Sequence, residues 1–110
     1  FGGLWEIEPQ ALGEIAAGGR VQILDVREPA EFHGPMGHIP NAQLIPLGAL
    51  NDSLVALDRE HPVVAVCRSG SRSARAVAML QQAGFAQVAN LAGGMLRWHV
   101  DGGRVDGAQD

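Results

Sequence analysis

"VVAVCRSGSRSARAVAML", residues 63–80, decides the fold. Preceded by Pro62, it opens with the apolar run Val63–Val66 and delivers Cys67, the only cysteine of the chain. An apolar run of this kind reads as a central parallel strand covered on both faces. Directly after the thiol come Arg68 and Arg72, set among Ser69, Gly70, Ser71 and Ser73. A helix follows over 72–83. Ala74, Val77, Ala78 and Leu80 are assigned to its sheet-facing side. Gly84 supplies a left-handed end, and Phe85 closes back onto Leu80.

Outward from this unit, strands and helices alternate. "LWEIE" (4–8) reads as a short strand, and Pro9 opens a helix that Gly18 and Gly19 end. "VQILDV" (21–26) is a buried strand with Asp25 near its carboxyl end, followed by a short helical turn from Pro29. "HGPMGHIPNA" is a loop, "AQLIPL" (42–47) a strand stopped at Pro46, and a modest amphipathic helix is expected from near Asn51 or Asp52. "AQVANL" (86–91) is the last strand. "GGMLRWHV" gives a turn and a short helix with Met95, Leu96 and Trp98 inward. Residues 101–110 are polar and read as a loosely held tail. The alternation with short connections implies an α/β fold, a mostly parallel sheet with helices on both faces. A chain of 110 residues suits one domain, placed at 1–100.

The order strand, thiol, Gly/Ser/Arg turn, helix has a chemical meaning. Ligands of open α/β sheets bind beyond the carboxyl ends of the strands. Backbone N–H groups of a turn leading into a helix converge on an anion, and Gly70 allows the turn its conformation. A thiol in such a ring ionises more easily than a free one, and the thiolate is the nucleophile. All eight basic residues are arginine, and three of them, Arg68, Arg72 and Arg75, follow Cys67 with no acid between. The chain as a whole carries a net charge of −4, which argues against nucleic acid or an anionic membrane surface as a general partner.

One cysteine forms no internal disulfide and no cysteine metal cluster, so packing or chemistry must account for it. No apolar run approaches a membrane span. "FGGLWEIEPQ" shows no basic segment followed by an apolar core, so no secretory leader is read there, and a cytoplasmic location is the default expectation. Because the chain opens on Phe1, an upstream segment stays open.

At these residues the sequence resembles the rhodanese family of sulfurtransferases. "LDVREPAEF" (24–32), "GHIPNAQLIPL" (37–47), "VVAVCRSGSRSARAVAMLQQAGF" (63–85) and "LAGGMLRW" (91–98) match family segments in family order. The resemblance implies a five-stranded sheet, flanked by helices, and a mechanism. Cys67 would take a sulfur from thiosulfate or a protein persulfide donor and pass it to cyanide or a thiol, with no metal or organic cofactor. The amides of residues 68–72 would cradle the persulfide, with Ser69, Gly70 and Ser71 shaping the ring and Arg68 and Arg72 drawing in the anionic donor. Asp25 and Arg27 match the family's Asp-x-Arg and read as a structural ion pair or loop anchor. His38 reads as a turn residue bonding backbone groups. Asn41 stands where the family often has glycine, and "HGPMG" is slightly longer than the shortest family versions.

Three other functions compete. A related phosphatase class spaces its loop C-x5-R, whereas Cys67 to Arg72 is C-x4-R, a smaller ring better suited to one sulfur atom. The fold also serves as a non-catalytic recognition module, usually without the cysteine, and as a sulfur carrier or thiol sensor acting on a protein partner.

Overall fold

A computed structural model of the chain describes residues 5–108. Its five strands are β1 (Glu6–Ile7), β2 (Gln22–Asp25), β3 (Gln43–Leu44), β4 (Val63–Val66) and β5 (Val88–Leu91). The helices are α1 (Pro9–Ala17), α2 (Pro29–Phe32), α3 (Ser71–Gln82) and α4 (Gly94–Val100). All strand pairs are parallel, in the order β1-β5-β4-β2-β3. The apolar strand β4 is central and fully buried, as its composition requires. Leu4, at the start of the first expected strand, lies outside the described residues.

Side chains alternate across the sheet and divide the core in two. Val63, Ala65 and Cys67 join Leu24, Val26, Ala76, Val77, Leu80 and Phe85 under α3. Val64 and Val66 join Leu12, Ile23, Leu91, Met95 and Trp98 under α1 and α4. Burying each of the larger aliphatic side chains stabilises the fold by about 1.5–3 kcal/mol. Phe85 closes α3 as expected: its N–H returns to the Leu80 carbonyl at 3.0 Å, and its ring shares the α3 core. Among the described residues no helix is long and apolar enough to cross a membrane.

Three details depart from the sequence reading. The buried stripe of α3 is Ser73, Ala76, Val77 and Leu80, while Ala78 is exposed and Ala74 half-buried. The helix is turned so that the Ser73 hydroxyl faces inward, a position that apolar counting passes over. Leu96 stays 38 % exposed, because α4 presents Met95 and Trp98, one turn apart, to the sheet. The helix expected from residue 51 is instead a pair of 3₁₀ turns, Leu47–Ala49 and Asn51–Ala56. That segment is anchored by Leu50, Leu54 and Leu57, leaves Val55 exposed and has no side-chain cap, so it tightens into i→i+3 bonding.

Pairing beyond β3 continues past its two residues. The Ile45 N–H donates to the Asp25 carbonyl and the Leu47 N–H to that of Val26, while Pro46 between them has no N–H to give. The segment 101–108, part of the expected tail, is tied to the domain. Trp98 Nε1 donates to the Arg104 carbonyl, and His38 and Asp106 exchange both backbone bonds. Residues 109–110 lie outside the described residues.

Candidate active site

The register of the sheet gathers the site. Asp25 lies opposite Val66, and the Val26 N–H donates to the Val66 carbonyl, so the ends of β2 and β4 are level. Cys67 leaves β4 on the same core face as Val26, one residue past the Asp25–Val66 pair. From there the chain must turn its carbonyls away from the sulfur, and α4 makes it do so. The Met95 N–H takes the Cys67 carbonyl at 2.8 Å, and the Leu96 N–H takes that of Arg68 at 3.0 Å. Gly94 permits this approach: a Cβ there would stand 2.5 Å from both carbonyl oxygens. Gly70, at φ +110°, reverses the chain into α3. Its carbonyl is held by Asn90 Nδ2 at 3.0 Å, and its N–H points back to Cys67 Sγ at 3.0 Å.

Ser73 completes the enclosure. Its Oγ lies 3.3 Å from Sγ and also within bonding distance of Asn90 Oδ1. A hydroxyl carries one proton and serves one of these acceptors at a time. With a neutral thiol the S–H donates to Oγ and the hydroxyl to Asn90; with a thiolate the hydroxyl turns to the sulfur. Asn90 Nδ2 also reaches Glu6 Oε2 at 3.3 Å, anchoring the network to the edge strand β1.

Cys67 is 1 % exposed, and its burial pushes the thiol pKa up. The Ser73 hydroxyl and the amides of Ser73, Gly70 and Ser69 act against burial and together outweigh it, so the pKa is lowered. The stabilising groups are hydrogen-bond donors, whereas the sequence suggested the neighbouring cations as much as the amides. Replacement of Ser73 by alanine removes the largest lowering contact. The thiol pKa of S73A should rise, and the acid limb of its alkylation rate should move to higher pH. Iodoacetamide kinetics across pH measure this directly; a limb in the same place would show that Ser73 leaves the thiolate unaided.

The register of β2 and β4 brings Asp25 and Arg27 to the same end of the sheet as Cys67 and its loop, whereas Asn41 precedes the parallel strand β3. Arg68, Ser69 and Ser71 are exposed around the loop, and the Arg68 side chain makes no hydrogen bond or ion pair among the described residues. Arg72 is engaged: Nη1 donates to Glu31 Oε1 at 2.7 Å and Nη2 to Oε2 at 2.8 Å. The Arg72 bond holds the Glu31 carboxyl at about 2 against partial burial, which raises it, with further help from the Glu28 amide. Glu31 in turn raises Arg72.

Arg27 and Asp25 are both fully buried. Arg27 Nε and Nη2 donate to the Asp25 carboxylate at 2.9 and 2.8 Å, Nη2 also to the Gly37 carbonyl at 2.7 Å, and Nη1 to that of Glu31 at 3.3 Å. The pair thus ties β2, α2 and the 33–41 loop together and makes no bond to the sulfur among those described. His38 stacks on Phe32 with ring centroids 3.7 Å apart, and its Nδ1 bonds the Phe32 carbonyl. Asn41 has φ +68°, the left-handed geometry that glycine adopts most easily.

Ser73, Asn90 and Glu31 were not among the residues read from the sequence as the site. Asn90 had a visible signal, a lone amide in the apolar strand "VANL".

Comparison with known proteins agrees with this geometry. The family model for the rhodanese-like domain matches residues 8–101. A protein of Allochromatium vinosum named sulfurtransferase is 36 % identical over 94 residues, which cover 84 % of this chain and 86 % of that protein. A probable adenylyltransferase/sulfurtransferase of Mycobacterium tuberculosis, MoeZ, is 36 % identical over 95 residues, covering 84 % of this chain but 24 % of that larger protein. The chain thus spans about a quarter of that relative's length. The crystal structure of a rhodanese-related protein from Thermoplasma volcanium superposes with a TM-score of 0.85 at 32 % identity, covering 94 % of this chain and 98 % of that one. With most of its length matched and its strand order, cysteine loop and helices in place, the chain belongs to the rhodanese-like domain family.

Proposed function

We propose that this domain is a sulfurtransferase working through a persulfide on Cys67. The observation that carries the reading is the Gly70 N–H 3.0 Å from Sγ, within a loop whose amides and Ser73 hydroxyl lower the thiol pKa. In the first step the thiolate attacks the outer sulfur of thiosulfate or of a persulfide. A new Sγ–S bond forms, the donor's S–S bond breaks, and sulfite or a thiolate leaves with the electron pair. The charge of the resulting Cys67–S–S⁻ falls to the amides of the 68–72 loop. In the second step cyanide or a thiol takes the outer sulfur, and the Cys67 thiolate is restored. Two covalent half-reactions give ping-pong kinetics.

Arg68 makes the loop attractive to an anionic donor, Arg72 stands at its edge paired with Glu31, and Ser69, Gly70 and Ser71 set its size. Asp25 and Arg27 act at one remove, by fixing the β2 end against which the loop is built. The C-x4-R spacing gives a ring sized for one transferred sulfur, which ranks phosphate ester hydrolysis below sulfur exchange.

Intact-protein and peptide mass spectrometry after incubation with thiosulfate or a small persulfide tests this. The expected result is a gain of one sulfur at Cys67, reversed by cyanide. No gain with either donor would favour a recognition module instead.

A further inference from the structure

Arg72 stands in the first turn of α3, close enough to Cys67 for charge attraction between them. An incoming anion would seek its guanidinium. Yet both terminal nitrogens already face the two oxygens of Glu31, the paired geometry in which a guanidinium binds a carboxylate most firmly. The pair is about one-third exposed, 33 % for Arg72 and 31 % for Glu31, so solvent only partly screens it. Glu31 is itself fixed at the start of α2, where its carboxylate also accepts the Glu28 N–H. With Glu31 ionised across any working pH, the charge of Arg72 is largely cancelled. Arg68, exposed and without a side-chain partner among the described residues, is then the main positive charge offered by the loop itself.

We infer that Glu31 is a specificity-determining residue that occupies the guanidinium fork of Arg72 and so biases the site against small dianions such as thiosulfate, towards the singly charged outer sulfur of a persulfide. This rests on the reading of Cys67 as the sulfur-accepting nucleophile. The favoured half-reaction balances without an oxidant or reductant: Cys67–S⁻ attacks R–S–S⁻, Cys67–S–S⁻ forms, and R–S⁻ departs. R is a small thiol or a polypeptide cysteine, and the chemistry at the transferred sulfur is the same. Specificity of this kind comes from an element set against the wrong partner as much as from attraction to the right one.

The test measures kcat/KM for three donors: thiosulfate, the persulfide of 2-mercaptoethanol and a short persulfidated peptide. The proteins are wild type, Glu31→Gln and Glu31→Gln/Arg72→Gln. The glutamine keeps a carbonyl for the Glu28 N–H, so the start of α2 keeps its cap. Freed from its carboxylate, Arg72 should raise the thiosulfate-to-persulfide ratio of E31Q about tenfold, and the second substitution should cancel that gain. A partial loss of fold scales all donors together and leaves the ratio alone. Higher turnover of the peptide than of the small persulfide would identify a polypeptide as the source; the reverse would identify a small thiol. A ratio that stays or falls in E31Q, or a gain that survives loss of Arg72, would overturn the role of Glu31. Absence of sulfur on Cys67 with every donor would instead overturn the underlying reading of the cysteine.

Discussion

Cys67→Ser is expected to lower sulfur transfer by at least about 10³-fold with every donor, because the covalent intermediate has no atom on which to form. The ring around position 67 is built to hold a thiolate. Its donors are the Gly70 N–H at 3.0 Å, the Ser73 hydroxyl at 3.3 Å and the amides of Ser69 and Ser73. A serine hydroxyl in that ring stays protonated at neutral pH and is a poor nucleophile toward sulfur. The fold should be nearly indifferent, since serine is smaller than cysteine and can donate to Ser73 Oγ. Initial rates with thiosulfate and a small persulfide, alongside a denaturant midpoint, check both halves. A serine variant with full turnover would remove the persulfide mechanism.

The second large effect concerns stability. Arg27→Met should cost about 3–5 kcal/mol, because it strands a charged carboxylate in the interior. Asp25 and Arg27 are each 0 % exposed, and this one guanidinium serves both Asp25 oxygens and the carbonyls of Gly37 and Glu31, the last of which also accepts the Gly34 N–H. In the variant only the Arg27 backbone N–H would still reach Asp25 Oδ1, at 3.1 Å. Such a loss is a large part of the 5–15 kcal/mol that typically holds a domain together. Urea unfolding of R27M gives the number. A loss under about 1 kcal/mol would mean that the carboxylate finds water or a proton at little cost. Replacing both residues with apolar side chains should cost less than R27M alone, since no charge is left behind.

The central strand, its cysteine, the turn and the following helix were legible because they are contiguous. An apolar run, one thiol and a Gly/Ser/Arg turn announce themselves within eighteen residues of sequence. The Asp25–Arg27 pair was anticipated through its match to the family's Asp-x-Arg, with only the place of Asp25 near the end of an apolar strand read from the residues themselves. What escaped was long-range. Ser73 and Asn90 are 17 residues apart, and Arg72 and Glu31 are 41 apart. No local pattern says which acceptor a buried hydroxyl will meet, or which carboxylate will claim an arginine. The rotation of α3 escaped because Ser73 faces inward to serve the sulfur. The 3₁₀ turns at 47–56 escaped because three leucine anchors specify contact points without specifying hydrogen-bond spacing.

The seat of the sulfur is finished from behind by α4, whose Met95 and Leu96 amides draw away the carbonyls of Cys67 and Arg68, and by Asn90 on β5. These pieces are made well after the cysteine as the chain is synthesised from its N-terminus. The loop donors at 69–73 are in hand earlier, but the carbonyls beside the sulfur are expected to be held away only after β5 and α4 dock, which makes the finished seat a late product of folding.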